Sequence, residues 1–212
     1  MKKLVIATLI LALLGTGIVW LLKTKPLQTQ KDQILQNGSE LNQVLSEKEK
    51  PSDAQAQDFS YIPTPSELQK NMQVAGLPTL SKPGTVFRAR QHIDIVINGK
   101  MVFIPANIGI TDTFVSPLHT KDQSGILYVE SPKKEDFTLG QFFTQWGILL
   151  TDKCIGTYCE DADHSFVVGV NGIKIANPQN HILQNEEEIE IWLGPSNQSP
   201  GLIKKYPFPK KF

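Results

Sequence analysis

The sequence predicts an α+β fold, a mostly antiparallel sheet packed on one short helix, carried behind an N-terminal transmembrane helix. Three observations predict it. Met1-Lys2-Lys3 precedes an apolar run from Leu4 to Leu22, closed by Lys23 and Lys25. Two Asn-Gly pairs, Asn98-Gly99 and Asn171-Gly172, each lie between β-branched apolar segments. Thr138-Leu139-Gly140-Gln141 opens an aromatic segment with helical spacing.

At 1.5 Å per residue the run from Leu4 to Leu22 extends about 28 Å, close to the roughly 30 Å hydrocarbon layer of a bilayer. The small-residue stretch Gly15-Thr16-Gly17 is a poor cleavage site, because Ile18-Val19-Trp20-Leu21-Leu22 continues the apolar run past it. Residues 1–23 are therefore expected to be an uncleaved signal anchor, with residues 4–22 in the membrane and Trp20 near its interface. Basic residues flank both ends, so the positive-inside rule discriminates weakly. A short basic N-terminus before an apolar run favours the body on the extracytoplasmic, periplasm-like side.

Residues 24–84 read as a polar linker rich in Gln, Lys, Glu, Ser and Asp. It holds one clear helix start, Thr64-Pro65-Ser66-Glu67, with a capping hydroxyl, Pro at the first helical position and Glu three residues after the cap. That helix, near 65–75, should stop at Gly76. Residues 85–195 form the globular domain, and 196–212 a basic tail rich in Pro and aromatic residues.

Within the domain, Arg88 to Ile97 alternates, with Ala89, Gln91, Ile93, Ile95 and Ile97 on one face. Asn98-Gly99 supplies the positive backbone angles of a tight turn, and Met101 to Ile104 returns as a strand. Ile126 to Val129 reads as another strand. Thr138 caps a helix from Leu139 to Trp146 that ends at Gly147, with Gln141 reciprocating. Phe142, Phe143 and Trp146 are its core face. Phe166 to Val170 and Ile173 to Ile175 make a second hairpin, and Glu188 to Leu193 alternates as a final strand with one wet face. Hairpin, strand, helix, hairpin, strand is the element order of a β-grasp-like sheet around a single helix.

The net charge of zero hides segregation. Thr85 to Pro195 holds 8 Lys/Arg against 14 Asp/Glu, while the tail carries Lys204, Lys205, Lys210 and Lys211. An acidic domain repels phosphate backbones, which argues against nucleic acid as a ligand. Partners expected instead are the membrane, through residues 4–22, and a protein reached through linker or tail. Cys154 and Cys159 are close in sequence, and an exported compartment favours a small-loop disulfide between them.

The segments Ile93-Asp94-Ile95-Val96-Ile97-Asn98-Gly99-Lys100, Ile104-Pro105-Ala106-Asn107-Ile108-Gly109-Ile110, His119-Thr120-Lys121-Asp122-Gln123-Ser124-Gly125-Ile126 and Thr138-Leu139-Gly140-Gln141-Phe142-Phe143 together resemble a family of uncharacterised exported prokaryotic domains. The resemblance covers about 85–194. It implies paired imidazoles, His-x-His before the first apolar strand and His-Thr-His-Asp at His119, and thus a transition-metal site. Here Arg90 and Lys121 stand at two of those positions, leaving His92, His119 and Asp122 as candidate metal ligands. Arg90, His92 and Lys121 would alternatively form a pocket for a carboxylate. No cofactor is expected, and a transition metal is the alternative.

The sequence has no Gly-x-Ser-x-Gly elbow, no phosphate-cradling loop and no His-Glu-x-x-His, which argues against an enzyme. Glu160-Asp161-Ala162-Asp163-His164 lacks a calcium-loop spacing and reads as a solvated loop. The expected function is a membrane-anchored extracytoplasmic binding or assembly module. A small metal-binding domain using His92, His119 and Asp122 is the alternative, with an enzyme of unknown class as a third reading.

Overall fold

The computed structural model describes residues 57–210. The anchor expected at 4–22 and the linker before residue 57 lie outside the described residues. Among the described residues no helix is long and apolar enough to cross a membrane.

The architecture is α+β, with a mostly antiparallel sheet and two helices. Helix α1 (Pro65–Val74) begins at the expected capping box, with Thr64 and Glu67 satisfying each other's backbone N–H groups. It is not an isolated piece of linker. Leu68 and Met72, one turn apart, are fully buried in the core together with Phe59 and Leu77. The body therefore starts well before Thr85, and two helices, not one, cover the sheet.

Strand β1 (Phe87–Ile97) is the spine. Its second half pairs antiparallel with β2 (Lys100–Val102) across Asn98-Gly99, whose φ values of 51° and 76° make the expected hairpin turn. On the same flank its first half pairs with β4 (Ile126–Ser131), and β3 (Leu118–Thr120) extends the sheet beyond β4. Helix α2 (Leu139–Trp146) follows, capped by Thr138 and Gln141 and closed by Gly147 at φ 82°, as its sequence dictates. Strands β5 (Cys154–Ile155) and β6 (Tyr158–Cys159) form a separate ribbon, in which Cys154 and Cys159 face each other and are joined by a disulfide.

Strands β7 (His164–Val170) and β8 (Ile173–Ile175) make the second Asn-Gly hairpin. The last strand, β9 (Glu187–Pro195), inserts between β1 and β7, parallel to β1 and antiparallel to β7. The order across the sheet is β3-β4-β1-β9-β7-β8.

Register sorts the side chains. The rungs Ile93–Ile189–Val170, Ile95–Ile191–Val168 and Ile97–Leu193–Phe166 put three strands' aliphatics on one face. They share a core with Phe142, Phe143 and Trp146 of α2, all of which are fully buried. The other face carries Arg88, Arg90, His92 and Asp94 from β1, Tyr128 and Glu130 from β4, and Glu188 and Glu190 from β9. The sequence suggests a wet face here; instead β9 is buried on both sides up to Gly194.

The C-terminal tail is the physical reason. Leu202 sits where a Cβ on Gly169 would stand, 2.7 Å from it, and Lys204 comes equally close over Gly172. The Ile203 N–H donates to Glu190 Oε2 at 3.0 Å. Tyr206 then lies on His92, and the Phe208 ring lies 5.2 Å from the Arg90 guanidinium carbon. The tail crosses from β7 over β9 to β1 as a strap on the polar face.

Candidate functional site

Two charged constellations share the strapped face. The first is built on β1 and β9. Their parallel register sets His92 beside Glu188 and Asp94 beside Glu190. His92 Nδ1 lies 2.9 Å from Glu188 Oε2, within hydrogen-bond distance, and 3.9 Å from Asp94 Oδ2. One ligand atom from each of His92, Asp94 and Glu188 lies within 4.8 Å of the other two, the only such group of three metal-binding side chains among the described residues. Glu188 is 1% exposed, and its second oxygen, Oε1, has no hydrogen-bond partner among the described residues. No Lys or Arg among the described residues comes within ion-pair distance of Asp94, Glu188 or Glu190. Burial pushes the Glu188 carboxyl up, with the His92 contact opposing, and burial likewise raises Glu190.

The second constellation surrounds Glu130 on β4. Arg88 reaches its Oε1 through two nitrogens, at 2.8 and 3.2 Å. His119 Nε2 lies 3.1 Å and Lys121 Nζ 3.4 Å from Oε2. Burial alone would raise this carboxyl, but the His119 and Arg88 contacts and the Lys121 charge hold it at about 2. His119 is fully enclosed, and its Nδ1 faces the Ser116 carbonyl at 3.0 Å. The Lys121 ammonium also sits 3.8 Å from the Tyr128 ring centre.

The ligand set expected from sequence is thus divided. His92 belongs to the β1–β9 group and is buried. His119 lies in strand β3, with Nδ1 facing the Ser116 carbonyl and Nε2 near Glu130. Asp122 is a turn former whose Oδ1 accepts the Ser124 N–H at 2.9 Å. Each cation expected in an anion pocket faces a carboxylate of this chain. Arg90 pairs with Glu186 at 2.8 Å, His92 with Glu188 and Lys121 with Glu130. The residues missed by sequence reasoning are Asp94, Glu188, Glu190 and Glu130. Alternation on β9 was the available signal, but it carries no information about which strand lies alongside.

The remaining histidines are explained locally. His164 Nδ1 contacts Asp161 Oδ1 at 2.9 Å in the exposed acidic loop, and His181 Nε2 contacts Glu187 Oε2 at 2.9 Å. The chain matches no family model, no curated protein and no solved structure.

Proposed function

We propose that this protein is a membrane-anchored, extracytoplasmic binding or assembly module of β-grasp-like architecture, whose polar sheet face receives an extended aromatic, proline and lysine-bearing segment. The observation that carries this reading is the strap: the chain's own Leu202, Ile203, Tyr206 and Phe208 engage β7, β9 and β1 in turn. A surface that accepts such a segment in cis has the chemistry to accept one in trans. Its Glu190 carboxylate accepts a backbone N–H of the segment, and His92 and Arg90 offer flat surfaces to its rings. The parallel β1–β9 pairing beside a hairpin supports the β-grasp comparison. The apolar run at 4–22 and the Cys154–Cys159 disulfide support placement on the outer side of a membrane.

Two measurements test the reading. Protease added to spheroplasts, with the outer envelope opened and the inner membrane sealed, should digest the body while the first residues stay with the membrane; full protection would remove the outward orientation. A synthetic peptide of residues 199–212 should bind a full-length Tyr206→Ala/Phe208→Ala double variant, whose own tail is weakened, more tightly than it binds the unaltered chain. No binding to a folded double variant would sink the recognition reading.

A further inference from the structure

The block formed by His92, Asp94, Glu188 and Glu190 has a surplus of buried negative charge. Three carboxylates stand beside one imidazole, with no Lys or Arg of the described residues within ion-pair distance of those three. Glu190 is satisfied in part by the Ile203 N–H. Glu188 is not: its Oε1 is buried and unpartnered while Oε2 takes the His92 contact. Buried carboxylate oxygens without a donor are costly, and the usual resolutions are a proton or a cation.

We propose that His92, Asp94 and Glu188 form a binding site for a divalent transition-metal ion, zinc being the representative probe. This goes beyond the peptide-recognition reading and does not depend on it. Imidazole nitrogen and carboxylate oxygen are both ligand types such an ion accepts, and three of them leave a fourth position open. The two carboxylates balance the ion's double charge, and His92 as its Nε2–H tautomer supplies the Nδ1 lone pair. The ion takes the place of the proton shared between His92 Nδ1 and Glu188 Oε2, and that proton leaves to solvent. His92 and Asp94 also line a cavity of about 340 Å³ with Gly125 and Tyr206, which gives the site an approach from outside. Tyr206 stacks on the imidazole and fixes its plane, the orienting task that outer contacts perform at metal centres. His119 and Asp122 have no part in this site.

Calorimetric titration of the folded full-length protein with zinc tests the proposal. One zinc per chain should bind with sub-micromolar affinity, and Asp94→Asn or Glu188→Gln should weaken it by at least about tenfold. Substituted cobalt should give visible ligand-field absorption that His92→Gln abolishes. His119→Gln should leave stoichiometry and affinity unchanged. Asp94 is the most exposed of the three ligands, so Asp94→Asn keeps the test open if the Glu188 variant does not fold. Absence of stoichiometric binding, binding indifferent to Asp94→Asn, or loss in a folded His119→Gln would each overturn the site.

Discussion

The imidazole of His92 lies flat against the phenol ring of Tyr206, with centroids 3.7 Å apart and planes inclined by 7°. Tyr206 in turn meets Phe208 edge-on at 5.0 Å. Two residues separated by more than half the domain thus join the central strand to the tail, and this contact holds the strap over the carboxylates beneath.

Tyr206→Ala should release the strap without unfolding the sheet. Loss of one aromatic contact and its buried area is expected to cost about 1–2 kcal/mol. Amide hydrogen exchange should accelerate selectively at Ile203 and along β9, where the tail contacts the strand. Unchanged exchange there would show that Leu202 and Phe208 hold the strap without Tyr206.

Glu130 should make the fold acid-sensitive in a defined window. Its folded pKa is depressed to about 2 from an ordinary 4.5, so its contribution is fully present above about 4.5 and is lost as pH falls towards 2. A shift of that size corresponds to about 3 kcal/mol. Denaturant unfolding of the unaltered chain and of Glu130→Gln, compared at pH 7 and pH 3, should show the difference between them shrinking at the lower pH. A constant gap would mean that the Glu130 contacts act by shape, not charge.

Trp146 and Phe142 are fully enclosed on α2, and Trp146 donates its indole N–H to the Tyr61 carbonyl at 2.9 Å. Replacing either by Ala should cost about 3–5 kcal/mol, read as a fall in the thermal midpoint. Near-wild-type melting in both would displace α2 from the centre of the core.

The Cys154–Cys159 bridge closes a short loop, for which chain-entropy reasoning gives about 2 kcal/mol. Thiol labelling of denatured, unreduced protein should detect no free cysteine. Reduction should loosen the β5–β6 ribbon while leaving the large sheet intact.

Features specified within a few residues were legible in the sequence. Both capping boxes, both Asn-Gly turns and the cysteine pair take their conformation from neighbouring atoms, and each stands where its chemistry dictates. Strand β3 was not legible, because Leu118–Thr120 is too short to display a period. The core role of α1 was available in the one-turn spacing of Leu68 and Met72, but a polar neighbourhood masked it. The His92–Glu188 contact spans 96 positions and exists only because β9 runs parallel to β1. Alternation along β9 gives the same pattern whether its polar side meets water or another segment. Only the tail decides that, through contacts made by Leu202, Ile203 and Tyr206, which have no periodic pattern of their own.

The place of β9 between β1 and β7 has a consequence for how the molecule is made. A chain delivered from its N-terminus forms the β1–β2 and β7–β8 hairpins early, since each closes over two residues. The two halves of the large sheet nevertheless share no strand pairing until residues 187–195 arrive to bridge them. During delivery both flanking strands therefore present unsatisfied backbone edges, which invite pairing with other chains. The closing strand seals those edges late, so truncation before Glu187 should yield aggregation rather than a smaller folded domain.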